Sequence, residues 1–187
     1  MRLLTPFMIA ATLSATLAAC TTEPRFGTPT PVPDTRVSSR YLAIEIVQAT
    51  LPTYGAEEQI YVRDKDGGIA ALGPLWADDP ARSVTLQLAR DLGQITGAIA
   101  APAPWPFRDL ADVRVDVRIE DFLATAEGSF LLSGQFYVAP EMGGRSRARR
   151  FAYSEPVGDA GSAAAIAAAR GAALTRLAVD IAQNGLR

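Results

Sequence analysis

Between Val113 and Glu120 the chain alternates without a break. Val113, Val115, Val117 and Ile119 are apolar, and Arg114, Asp116, Arg118 and Glu120 are charged. Successive side chains on a strand point to opposite faces, so this pattern describes a half-buried strand. A strand with one greasy face cannot stand alone. It needs neighbours to complete a sheet and an apolar layer to cover one side of it. The other side faces water or a partner.

The flanking sequence supplies both. Phe130–Val138 reads as the antiparallel neighbour, and Arg149–Ser154 as the third strand of a meander. Upstream, Tyr41–Val47 is β-rich, with Leu42, Ile44 and Ile46 on one face. Gln59–Arg63 and Ile69–Leu72 flank Asp64-Lys65-Asp66-Gly67-Gly68, a hairpin signal. Asp64 and Asp66 also mimic the start of a calcium loop, but a glutamate at the twelfth position is missing, so no metal is expected. The covering layer comes from two helices. Asp79-Pro80 opens the first, with Val84, Leu88, Leu92, Ile95 and Ile99 as its apolar stripe. Pro102–Pro106 ends it in a stiff loop. Asp159 is expected to cap an alanine-rich helix from about 161 to 183, with Ile166, Leu174, Leu177, Ala178 and Ile181 inward and Gly185 at its end. The order is βββ-α-βββ-α. It predicts a single α/β domain over 40–187, a mixed, largely antiparallel sheet packed by two long helices.

The N-terminus reads differently. Arg2, an apolar stretch from Leu3 to Leu17 and two small residues precede Cys20, the only cysteine. This is a secretory signal, too short for a membrane span of roughly 20 apolar residues. Leu17-Ala18-Ala19-Cys20 looks like a bacterial lipobox, which makes 1–19 a cleaved lipoprotein signal and Cys20 the lipidated first residue. Residues 20–39 are rich in proline and threonine and read as a flexible tether, with a reach of up to roughly 50 Å at about 3 Å per residue. Part of it packing near Arg36–Ser38 is the alternative.

Removing 1–19 from 187 residues leaves 168, enough for one core. The net charge of −2 argues against nucleic acid as a partner. Histidine is absent, which excludes an ordinary Ser-His-Asp triad and histidine-ligated zinc. Asp116, Glu120 and Asp121 could pair as glycosidase acids, but charges facing Arg114 and Arg118 on a solvated strand are the simpler reading. No catalytic residue, cofactor or metal site is expected. Contact candidates remain. Arg145, Arg147, Arg149 and Arg150 crowd one hairpin end and suit anionic lipid or an acidic partner. Trp76, Trp105 and Phe107 sit in proline-bounded loops, as docking anchors or as caps on the core.

The chain also resembles a known family, the ABC-type transport auxiliary lipoproteins, with the PqiC-type and YmbA-like outer-membrane lipoproteins among them. The matching features are Ile46-Val47 leading to Leu51-Pro52-Thr53-Tyr54, then Gln59–Arg63. Trp76-Ala77-Asp78-Asp79-Pro80 is similar to the family's Trp-Ala-Glu-Pro entry to the first helix. Val113 to Phe122 resembles its Val-x-Val-x-Val strand, and the final alanine-rich helix agrees in length and place. The resemblance covers about 41–184; the loop from Gly143 to Arg147 carries none of these features. It implies a lipid-anchored, outer-membrane lipoprotein facing the periplasm. Its partners would be an MCE-domain protein and its transporter complex, as a non-enzymatic accessory in lipid transport, with a homo-oligomer allowed. Two other readings stay open from the residues themselves: a lipid-binding carrier, which needs an apolar chamber, and a structural envelope lipoprotein.

Overall fold

The computed structural model describes residues 23–187; Cys20 and the signal segment lie outside them. The elements are β1 (Arg25–Phe26), β2 (Ala43–Ile46), β3 (Gln59–Arg63), β4 (Ile69–Trp76), α1 (Pro80–Thr96), β5 (Ile99–Pro102), β6 (Val113–Thr125), β7 (Ser129–Pro140), β8 (Arg147–Pro156) and α2 (Ala163–Asn184). The expected α/β domain is there: one mixed sheet of eight strands and two helices.

The alternating segment is β6, and it organises the sheet. Along one edge it pairs antiparallel with β7, which pairs with β8. Along the other it runs parallel to β2 through its first half and to β3 through its last residues. The chain between β2 and β3 stays on that edge, with Val47 N–H donating to Val115 O and Thr50 N–H to Val117 O. Val113, Val115, Val117 and Ile119 are buried under the helices. Phe122 and Ala124 continue that buried face, although strict alternation would have put Asp121 there. A β-bulge between Ile119 and Asp121 inserts the extra residue. Gly134 sits opposite Ile119, and a Cβ on it would overlap the Arg118 carbonyl.

Both helices lie on the same face of β6 and run parallel to each other, Ser83 meeting Arg170 and, farther along, Asp91 meeting Thr175. Asp79 caps α1, its Oδ1 accepting from Arg82 N–H at 2.6 Å. Val84, Leu88, Leu92 and Ile95 are buried as their spacing predicts, each contributing about 1.5–3 kcal/mol. Ile99 departs from the prediction. Gly97 turns left-handed at φ 73°, ends α1 and sends Ile99 into the edge strand β5, exposed. On α2, Ile166, Leu174, Leu177, Ala178 and Ile181 are all buried. Its cap is Ser162, accepting from Ala165 N–H at 3.3 Å. Asp159 closes the preceding turn instead.

In residues 23–39 the alternative to a free tether is seen: the segment lies along the domain as a strap and packs at Val37. Leu75 N–H donates to Pro24 O and Ala77 N–H to Phe26 O, adding β1 to the sheet beside β4. The strap then follows the helix layer. Gly171 of α2 leaves room for it, since a Cβ there would overlap the Pro29 carbonyl. Pro33 and Val37 are buried, and Val37 N–H donates to Ile95 O at the end of α1. Prolines lack N–H donors, so such a segment docks through a few apolar side chains rather than a ladder.

Candidate functional site

The largest apolar groups left in water cluster where β2 and β6 begin. Leu42, Leu110 and Met142 are 77%, 74% and 86% exposed and line a groove of about 660 Å³ with Arg40, Tyr41 and Pro140. Leu42 was expected on the core face with Ile44 and Ile46, but it precedes the first paired residue of β2. The backbone beneath is pinned. Asp112 Oδ2 accepts from Leu42 N–H at 2.7 Å and Ala43 N–H at 2.9 Å, while Asp112 O accepts from Glu141 N–H. Contiguous exposed apolar side chains of this kind mark sites of interaction or ligand binding on other proteins.

The arginine cluster is divided by its strand. Arg147 and Arg149 face α2, where Arg147 Nη1 donates to Asn184 O and Arg149 lies 3.3 Å from Asp180. Arg150 faces the uncovered side of the sheet and pairs with Glu120 at 3.4 Å. Arg145, in the exposed β7–β8 loop, has no salt bridge among the described residues. Four like charges are therefore not one patch. Trp105 lies in a loop folded back over the sheet's uncovered side, its N–H donating to Glu45 and its indole N–H to Asp109 O. Phe107 packs on it, ring centroids 5.0 Å apart, and is itself exposed. Trp76 is no exposed anchor. It is buried, because β4 runs on to residue 76 and carries it under α2.

The carboxylates of the uncovered face are occupied. Asp116 pairs with Arg118 at 2.8 Å, and Asp121 with Arg63 at 2.7 Å. The Ser133 hydroxyl, then Arg63, hold the Asp121 carboxyl below the usual range. A glycosidase acid needs the opposite shift. Asp64 is engaged too, accepting from Asp66 and Gly68 N–H within its turn.

The seam between the helices holds what sequence reading missed. Arg170 is 1% exposed and stacks on Trp76 and Phe122, 4.4 and 5.0 Å from their ring centroids. Nη2 donates to Ser83 Oγ and Pro80 O, but Nε has no acceptor among the described residues. Burial pushes its pKa down to about 9, so it stays charged at neutral pH. Asp91 is fully buried nearby; Oδ2 accepts from Thr175 at 2.9 Å, and Oδ1 lacks a hydrogen bond. Burial raises its pKa, against the hydrogen bonds from Thr175 and Gln87. The signal was present. Arg170 falls midway between Ile166 and Leu174, on the buried stripe of α2.

The family model for the ABC-type transport auxiliary lipoprotein component matches residues 26–182. No curated protein matches the chain in sequence. Among solved structures, one described only as an uncharacterized protein is 16% identical, with TM-score 0.68, covering 86% of this chain and 98% of that one. Protein XCC0632 from Xanthomonas campestris, of family DUF330, is 17% identical, with TM-score 0.66, covering 83% and 91%. A PelC dodecamer from Paraburkholderia phytofirmans is 15% identical, with TM-score 0.44, covering 86% and 96%.

Proposed function

The chain belongs to the family of ABC-type transport auxiliary lipoprotein components, and from that premise we propose that it is a non-enzymatic accessory of an MCE-type lipid transport system, held at the outer membrane through Cys20 and facing the periplasm. The groove of Leu42, Leu110 and Met142 carries this reading, because it is an exposed apolar surface on a pinned backbone, suited to docking protein. A carrier would need its apolar stripes to line a chamber. Here Leu88 and Leu92 of α1 and Leu174 and Leu177 of α2 are consumed by the sheet.

The strap gives the anchor a short leash. Pro24, whose carbonyl is already bonded to β4, lies only four residue steps beyond Cys20. That is about 13 Å of extended chain at ~3.3 Å per residue, far less than a free tether would allow. The strap then travels the length of α1 before the chain reaches the groove. Over 17 residues, at ~1.5 Å each, that is about 25 Å. The domain sits against the bilayer on one side and offers the groove at a distance from it.

Affinity capture of the lipidated protein from envelope extracts tests the proposal. An MCE-domain protein should be recovered with it. Recovery of other envelope proteins with no MCE protein among them overturns the reading. Cys20→Ser should release the protein from membranes; persistent tight binding would sink the lipid anchor.

A further inference from the structure

We propose that the cleft between the strap and α1 binds a singly charged carboxylate group through Arg170. The cleft is about 230 Å³ and is lined by Thr28 and Thr30 of the strap, by Ser83, Gln87 and Arg90 of α1, and by Arg170 of α2, with Phe26 and Trp76 as apolar walls. It is smaller than the ~300–1,000 Å³ typical of whole-ligand pockets, so it suits one functional group and a short stem.

Arg170 gives the cleft its chemistry. A buried ion with no hydrogen-bonded counter-ion is costly to hold. Arg170 is buried and has no salt bridge among the described residues. Its ring contacts with Trp76 and Phe122 hold the guanidinium plane fixed. Its Nε–H remains without an acceptor, and an acceptor is what a carboxylate supplies. The carboxylates nearby do not fill the role. Asp78 lines the same cleft and its charge acts on Arg170, but it makes no hydrogen bond to the guanidinium and is bonded to Arg82 instead. Asp91 accepts from Thr175 and Gln87 and lies 3.6 Å from Arg90. The Thr28 and Thr30 hydroxyls of the strap are placed to donate to the second oxygen, whereas the Ser83 hydroxyl is given to Pro80 O and the Gln87 amide to Gly171 O and Asp91. Asp78 also sets the charge. Its carboxylate at the cleft wall repels a dianion more than a monoanion, which favours a carboxylate over a phosphate. Phe26 and Trp76 suit the carbon stem behind it.

The test uses the full mature chain in detergent, carrying Trp105→Phe so that Trp76 is the one remaining tryptophan. N-acetylglycine is the probe, N-acetylglycinamide its neutral control and inorganic phosphate the dianion arm. N-acetylglycine should change Trp76 emission saturably in the millimolar range and shift the Arg170 Nε–H resonance; the amide should do neither. Arg170→Met should abolish saturation. Arg90→Gln, an exposed change that leaves the fold alone, should weaken binding about threefold, and it keeps the test alive if Arg170→Met fails to fold. No saturable response to N-acetylglycine, an equal response to the amide, a response to phosphate alone, or unchanged binding in Arg90→Gln overturns the proposal.

Discussion

At one end of the helix seam a full positive charge lies inside the protein; at the far end three large apolar side chains stand in water. Arg170 is walled in by Trp76 and Phe122, whereas Leu42, Leu110 and Met142 touch little but solvent. Each end inverts the pattern that builds most of the domain, where β6 and both helices, Asp91 apart, put apolar groups in and charges out. Such inversions are expected where a surface has work other than folding. They differ in what they should do to stability. The buried charge belongs to the folded state's packing, while the exposed apolar groups contribute almost nothing to it.

Replacing Arg170 separates its bulk from its charge and should give the largest effect. Arg170→Ala removes most of a long buried side chain from between two rings, and should lower stability by about 3–5 kcal/mol, as large-to-small core changes do. Arg170→Met keeps an apolar stem and removes the buried ion; it should lie within about 1 kcal/mol of the natural chain or above it. Urea unfolding midpoints decide. Equal losses in both would mean that the charge itself, and not the space it fills, holds the seam.

Gly171 tests the strap beside it. Gly171→Ala forces a Cβ onto the Pro29 carbonyl, and overpacking of this kind should cost about 1–3 kcal/mol. Amide exchange at Val37, whose N–H donates to Ile95 O, should rise, while Leu42 and Ala43, held by Asp112, keep their protection. Exchange unchanged along the strap would mean that its docking does not depend on that glycine.

The groove should behave in the opposite way. Leu110→Asp or Met142→Asp should change stability by no more than about 0.5 kcal/mol, since both side chains are exposed. Either should sharply reduce recovery of the MCE-domain protein in the capture experiment. A folded variant that recovers as much partner as the natural chain removes the groove from the proposal.

How much of this contrast was legible follows from what periodicity encodes. Val113–Ile119 and Val84–Ile95 repeat at the strand and helix periods, and both landed on the core as read. The bulge after Ile119 was not legible, because one inserted residue leaves local alternation intact on either side of it. Ile99 fits the helical spacing, yet Gly97 ends the helix first. The strap has no period. Its docking rests on Phe26, Pro33 and Val37, spaced irregularly among prolines, so composition alone resembles a free linker. Arg170 had the right spacing but the wrong chemistry for a stripe, and only the Trp76–Phe122 pocket explains it. Leu42 had the right chemistry but sits one residue outside its strand.

The smallest effect is the pH response of two carboxylates in contrasting places. Asp91, fully buried in the seam, has a pKa raised by burial. Its folded form binds a proton at a pH where the unfolded chain has lost it, so its contribution to stability falls as pH rises from the ordinary carboxylate value, 3.8, through the raised one. Asp121, on the uncovered face, has its pKa lowered by Ser133 and Arg63, so its contribution is present above 3.8 and is lost as pH falls through the lowered value. The two slopes have opposite sign and adjacent windows. Asp91→Asn should remove the decline above the ordinary carboxylate range, and Asp121→Asn the decline below it, in unfolding midpoints measured across that range. If Asp91→Asn leaves the upper slope intact, the Asp91 carboxyl is satisfied by more than Thr175 and Gln87.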